Sequence, residues 1–345
     1  MSFCLVFPLG ALGAAVFKRC KLPNPALLGA MFATGALSLS GHFPPLVMWP
    51  ISFGANLMIG VMIGRQIDRN VLRRLSSLAA PVIIQTAGML CLSLVCGYTM
   101  YFMGGKSGVS LKTALISGAA GGIAEMSAFG MSIDADVSVI AFVQLFRVVT
   151  FLALIPYLSK IGANKGYVRI EASDSSIAPF GLRDYFAMGA GAFAGAALAY
   201  RLKVPTGAML GAMAVCGVYS VAVNKRYSYD TRIRWVAQVC LGLAMGQRMK
   251  PEMAYQLGSL LLPAVTVTLV MLCGCLSLAF LLWKTTGWDA TTCLLCAAPA
   301  GLTQITAYAE EVGADSLTAS VFHTARIIGI VAIYPWIVTP LSVQL

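Results

Sequence analysis

The chain has 345 residues, 59% of them hydrophobic and only 11% charged, with a mean hydropathy of +0.82. A soluble domain carries about 25% charged residues, so an ordinary globular protein is excluded. The net charge of +11 does not mark a nucleic-acid binder, because the Lys and Arg residues lie in short loops between apolar segments and do not cluster on one solvated face.

The first apolar segment (3–19) is apolar from Phe3 to Phe17 and has Lys18, Arg19 and Lys21 after that run, the reverse of a cleavable signal peptide, and reads as a retained helix. Further segments follow at 24–41, 48–66, 78–104, 111–131 and 137–159. A polar stretch runs from Lys160 to Arg183, and six more segments occupy 184–201, 206–223, 234–247, 258–283, 290–309 and 315–338. A spanning helix needs about 20 apolar residues, and most of these qualify. The ten cysteines are scattered through them; Cys293 and Cys296 form one C-x-x-C, which without a second pair reads as buried thiols.

The two sets of six are copies. Leu22-Pro23-Asn24-Pro25-Ala26-Leu27-Leu28-Gly29-Ala30-Met31 aligns with Val204-Pro205-Thr206-Gly207-Ala208-Met209-Leu210-Gly211-Ala212-Met213. The same register pairs Gly60 with Gly242, Gly64 with Gly246, Pro81 with Pro263 and Cys91 with Cys273. After a short deletion it pairs Gly122 with Gly301, Asp136 with Asp315, Arg147 with Arg326 and Pro156 with Pro335. The expected organisation is a first repeat over 1–160, a cytoplasmic connecting loop over 161–183 and a second repeat over 184–345. Gly60/Gly64, Gly242/Gly246 and Gly191/Gly195 have the spacing of close helix contacts.

The fifth segment of each copy is different. Gly118-Ala119-Ala120-Gly121-Gly122-Ile123-Ala124-Glu125 and Ala297-Ala298-Pro299-Ala300-Gly301-Leu302-Thr303-Gln304 combine small residues, a proline and a polar centre, the composition of an interrupted or re-entrant helix. Loop charge supports re-entry. If the fifth segment returns to its own side, sixteen of the 24 basic residues fall on one face and six on the other, with Arg147 and Arg326 inside helices. If it crosses, the split is even. The positive-inside rule then gives an all-α polytopic protein of two inverted repeats, five crossings each plus one re-entrant segment, with both termini outside.

Paired interruptions in inverted repeats are a recurrent transporter plan, because unwound backbone at membrane depth is tolerated where it lines a polar cavity. Glu125 is a carboxylate within an apolar segment and a functional candidate on that ground alone; a fixed ion pair with Arg147 is the alternative. Gln144 precedes Arg147 by three residues and His323 precedes Arg326 by three, so each pair shares a helix face. Asp136 and Asp315 open the sixth segments and read as N-caps. The candidate solute site is Gly121, Gly122, Glu125, Gln144, Arg147, Gly301, Thr303, Gln304, His323 and Arg326, with Asp136, Asp315 and Pro299 in structural roles. Glu310 and Glu311 are expected at the membrane surface.

At Gly121-Gly122-Ile123-Ala124-Glu125-Met126, Asp136 and Arg147, and again at Pro299-Ala300-Gly301, Asp315 and Arg326, the chain resembles the AbrB family of bacterial membrane proteins, over nearly its whole length. The family pattern has Pro-Gly-Gly with a following Glu in each copy and a His four residues before the Arg. Here Ala120, Ala300, Gln304, Val143 and Phe322 stand at those positions, which removes a symmetric pair of acidic sites. The family has been labelled an ammonia monooxygenase and, in enteric bacteria, a regulator of gene expression. His42 and His323 alone do not supply an oxygenase metal site, and the small soluble DNA-binding regulator of the same name is unlike this chain.

The resulting expectation is a secondary active transporter of the bacterial inner membrane. It moves a small organic anion coupled to Na+ or H+, without cofactor, metal, nucleic acid or enzymatic step, and its plan allows a homodimer. The alternative is a membrane sensor that influences gene expression.

Overall fold

The structure, a computed structural model, describes residues 2–20, 24–39, 48–67, 69–105, 108–162, 182–204, 206–223, 231–247, 251–300, 305, 308–309, 312 and 314–341. Among the described residues every regular element is helical. The first half runs α1 (Ser2–Arg19), α2 (Pro25–Leu39), α3 (Met48–Gly64), α4 (Arg69–Ser77), α5 (Ala79–Gly104), α6 (Leu111–Gly118), α7 (Ile123–Ser132) and α8 (Val137–Gly162). The second runs α9 (Leu182–Arg201), α10 (Gly207–Val223), α11 (Thr231–Gly246), α12 (Pro251–Thr286), α13 (Ala290–Ala297) and α14 (Ser316–Leu341).

Three helices, Ala79–Gly104, Gly258–Thr286 within α12, and α14, are long and apolar enough to cross a bilayer. Phe102, Ile83, Leu262 and Trp336 point outward from them, as lipid-facing side chains do. The chain is a membrane protein. Ten crossings are not reached on length alone: α2, α3, α10 and α11 have 15, 17, 17 and 16 residues, short of the about 20 a crossing needs. The sequence reading also missed α4. It is a short amphipathic helix in what looked like a basic loop, and its Arg69 Nε donates to Val221 O at the end of α10 (2.8 Å).

The packing keeps its pattern when the halves are exchanged. α1 packs on α2 as α9 does on α10, α2 on α11 as α10 on α3, and α6 on α8 as α13 on α14. The helices form two layers. One is the row α1–α2–α11–α3–α10–α9; the other holds α5, α6, α8, α12, α13 and α14, while α7 touches both.

Glycines set the seams of the row. A Cβ on Gly60 or Gly64 would overlap Met209 O or Met213 O of α10, and one on Gly242 would overlap Leu27 O of α2. As residues 60 and 64 meet 209 and 213 in the same order, α3 and α10 run parallel; so do α2 and α11, with Leu27 near Gly242 and Thr34 near Gly246. In the other layer Gly88 meets Leu278, Leu92 meets Gly274 and Cys96 meets Val267, so α5 and α12 run antiparallel. Gly60→Leu is expected to force α3 from α10 and lower stability by about 1–3 kcal/mol or more, read as a fall in the thermal midpoint in detergent. An unchanged midpoint would mean that the seam opens without cost.

The first fifth segment is a broken hairpin. α6 and α7 have 8 and 10 residues, about 12 and 15 Å at helical rise, and neither crosses. Their outer ends meet: Lys112 Nζ donates to Ile133 O (3.2 Å) and the Asp136 N–H to Thr113 Oγ1 (3.0 Å). In the second copy the Asp315 N–H donates to Thr292 Oγ1 (3.2 Å). Asp136 Oδ1 accepts from the N–H groups of Ser138 and Val139, and Asp315 Oδ1 from those of Leu317 and Thr318, so both carboxylates cap the helices that follow.

Candidate solute-binding site

The site starts from the carbonyls that each break leaves over. An α-helix ends with four carbonyls that have no intrahelical donor, and at membrane depth water is not there to supply one. At the end of α6, Leu115 O accepts from Tyr334 Oη (2.8 Å). Gln144 Nε2 donates to Ile116 O, Ser117 O and Ala119 O (3.3, 3.3 and 2.9 Å). The Arg147 guanidinium donates to Ala119 O, to Gly121 O (2.8 Å) and to Gln144 Oε1.

The second copy repeats this. His323 Nε2 meets Leu295 O (2.9 Å), and because a carbonyl only accepts, that nitrogen carries the proton. Gln85 Nε2, from the opposite half, donates to Cys296 O (3.2 Å), and Arg326 donates to Ala298 O and Ala300 O (2.7 and 3.2 Å). Each break is thus braced by its own sixth segment and by the other half.

One brace differs between copies for a covalent reason. The Ala120 N–H donates to Ser93 Oγ (2.9 Å). At the mate of Ala120 stands Pro299, which has no N–H, and at the mate of Ser93 stands Cys275. Ser93→Ala is expected to strand the buried Ala120 N–H at about 1–3 kcal/mol. Cys275→Ala, which strands no donor, should lower the thermal midpoint less; equal losses would show that the bond contributes nothing.

Between the two breaks lies a cavity of about 190 Å³. Gly121, Gly122, Ile123, Ala124 and Glu125 line it from the first hairpin, and Pro299, Ala300 and Arg326 from the second half. Asn24, Arg65, Gln66 and Gln238 line it from the row of helices opposite. Gly122 caps α7 in extended conformation (φ −80°, ψ 156°) without a side-chain cap hydrogen bond of its own, and the positive end of the α7 backbone dipole lies at the cavity wall. The Glu125 carboxylate folds back to that end, since a Cβ on Gly122 would overlap its Oε2. It is half-buried and within electrostatic reach of Arg326.

The structure divides the residues singled out in the sequence. Gly121, Gly122, Glu125, Pro299 and Arg326 line the cavity. Gln144, Arg147 and His323 are buried against the hairpin carbonyls and do not line it. The partners of Arg147 are the backbone oxygens of Ala119 and Gly121 and the amide oxygen of Gln144, not the Glu125 carboxylate of the alternative ion pair. Gly301, Thr303, Gln304, Glu310 and Glu311 lie outside the described residues.

Sequence reasoning missed Asn24, Arg65, Gln66 and Gln238, which read as loop charge or helix filler. A faint signal existed at the first: Asn24 and its mate Thr206 open α2 and α10, and both hold positive φ (46° and 55°).

A family model described as transition state regulatory protein AbrB matches residues 44–342. The chain is also similar to uncharacterized protein YhjN of Bacillus subtilis (strain 168), at 21% identity over 292 residues, which is 81% of this chain and 75% of that protein.

Proposed function

The chain belongs to the AbrB family, and for this member we propose secondary active transport of a small organic anion, coupled to Na+ or H+, across the bacterial inner membrane. The observation that carries this reading is the cavity held between the two helix interruptions, with Gly121–Glu125 on one wall and Pro299, Ala300 and Arg326 on the other. The positive end of the α7 dipole and the charge of Arg326 favour an anion, and the carboxylate of Glu125 provides a cation or proton site.

The halves are read as inverted and their fifth segments as re-entrant. The antiparallel α5–α12 crossing supports inversion, because the exchange axis then lies across the helices. So does the parallel run of α2 with α11, which under inversion descend together. The meeting of Thr113 with Asp136, and of Thr292 with Asp315, supports re-entry. Two inverted copies give one site two related exits.

Reconstitution tests the reading. Purified protein in proteoliposomes should take up organic acids when an inward Na+ or proton gradient is imposed and stop when it is collapsed; uptake indifferent to both gradients would defeat the coupled-carrier reading. A sensor that influences gene expression is the competing reading, favoured by the regulatory description of the matching family model. Removing 163–181 should leave flux intact in a carrier and abolish the expression response in a sensor.

A further inference from the structure

Helix α4 is tied down on two sides and open on a third. Arg69 donates through Nε to Val221 O (2.8 Å) and through Nη2 to Ala222 O (3.4 Å), which fastens α4 to the end of α10. Leu75 and Leu78 pack against the core, and the helix touches α5 and α14 of the second layer. The remaining face is exposed. Arg69, Arg73, Ser76 and Ser77 follow one another along it at helical spacing, with Leu72 on one flank and the half-buried Arg74 on the other.

The depth of this face follows from α5. Its 26 residues span about 39 Å at helical rise, more than the about 30 Å of hydrocarbon. Between α4 and α5 Leu78 departs from helical dihedrals (φ −109°, ψ 19°). The hydrogen-bond ladder runs through it all the same, from Leu78 N–H to Arg74 O (2.9 Å) and from Val82 N–H to Leu78 O (3.0 Å). α4 therefore carries the spanning helix on into the headgroup layer, and the exposed Leu72 and Ile83 give both helices an apolar edge.

The hydroxyls of Ser76 and Ser77 turn back to Arg73 O and Arg74 O (2.7 and 2.9 Å). The guanidiniums of Arg73 and Arg74 have no hydrogen bond or ion pair among the described residues. Nor does the repeat require them: Pro251, Tyr255 and Gln256 stand at the mates of Arg69, Arg73 and Arg74, and the second copy is helical there without a basic face. Guanidiniums present forked donors that match a phosphate. An apolar edge beside such donors suits an acyl chain.

We propose that this face of α4 is a docking surface for an anionic phospholipid. Arg73 and Arg74 grip the headgroup phosphate, Arg69 adds its charge, and the acyl chains lie along Leu72 and Ile83. The bound lipid strengthens the helix that joins the row to the second layer.

The probes are dioleoyl phosphatidylglycerol, dioleoyl phosphatidylcholine and glycerol 3-phosphate. They are added to the delipidated full chain in detergent and followed by thermal midpoint and by native mass spectrometry of retained lipid. Phosphatidylglycerol should bind more tightly than zwitterionic phosphatidylcholine by at least about tenfold, the scale of hydrogen bonds to charged groups, and glycerol 3-phosphate should not displace it. Arg73→Gln with Arg74→Gln should lose that preference with the lipid-free midpoint unchanged, and Arg73→Lys with Arg74→Lys should recover part of it. If the double glutamine variant does not purify, Arg73→Gln alone should still weaken phosphatidylglycerol measurably. Arg201→Gln with Lys203→Gln, which removes two exposed charges at the end of α9, should bind as the wild type does. Wild-type affinity in the α4 variants, equal binding of phosphatidylcholine or an equal loss in the α9 variant overturns the surface. Displacement by glycerol 3-phosphate overturns the lipid as its occupant. Binding is read without flux, so these outcomes leave the carrier reading where it stands.

Discussion

Arg147→Ala is expected to lose about 2–6 kcal/mol of stability, from two buried carbonyl acceptors stranded at about 1–3 kcal/mol each, and to fail as folded protein before it fails as a carrier. The side chain is 2% exposed and its guanidinium serves Ala119 O and Gly121 O, the carbonyls on either side of the extended turn between α6 and α7. Without it those acceptors lose the guanidinium that takes the place of a helix donor. Gln144 still reaches Ala119 O, but its Oε1 loses the donor it accepts from Arg147. Arg147→Lys should be intermediate, since one ammonium replaces a two-pronged grip. Arg326→Ala should match Arg147→Ala, because it holds the mate carbonyls Ala298 O and Ala300 O. The yield of monodisperse protein and its thermal midpoint check this; a normal midpoint for Arg147→Ala would mean that the turn finds other partners.

Glu125→Gln is expected to spare the fold and remove the coupling. The substitution keeps the shape of the side chain, and the mate position already carries a glutamine in sequence, Gln304. What disappears is the charge at the mouth of α7. Hydrogen bonds to a charged group contribute about 1.5–3 kcal/mol, or roughly 10- to 100-fold in an equilibrium. Gradient-driven uptake should therefore fall by at least about tenfold, while exchange of solute across vesicles at zero gradient persists. Full gradient response in the variant would remove Glu125 from the coupling step.

The repeat and the first break were legible because they rest on residues with one physical meaning. Gly118 through Gly122 cannot hold a helix well, and the pairing of Pro, Gly and Arg across the halves is a matter of identity. Asp136 and Asp315 were legible as caps for the same reason. The roles of Arg147 and Gln144 were not. Periodicity tells which side chains share a face, but not whether that face meets a solute or the carbonyls of a neighbouring turn. Arg65 and Gln66 were hidden by the positive-inside logic, which counts a loop arginine as an orientation signal. Helix α4 escaped because nine residues with three arginines do not look like a helix until Arg69 is seen closing the end of α10.

The lopsidedness of the cavity has a consequence of its own. Asn24 and Arg65 line it, whereas their mates Thr206 and Gln247 do not, although the frame that carries both sets is nearly interchangeable. In a carrier, such a chain holds the plan of its second orientation in its first: transpose the halves, and Thr206 and Gln247 become the wetted threshold on the far side. The two orientations would then be equal in energy but for the positions where the copies have diverged. Ser93 against Cys275, Gln144 against His323 and Glu125 against Gln304 become the weights that tilt the resting balance, so a swap at any of them shifts which way the molecule idles without redrawing its site.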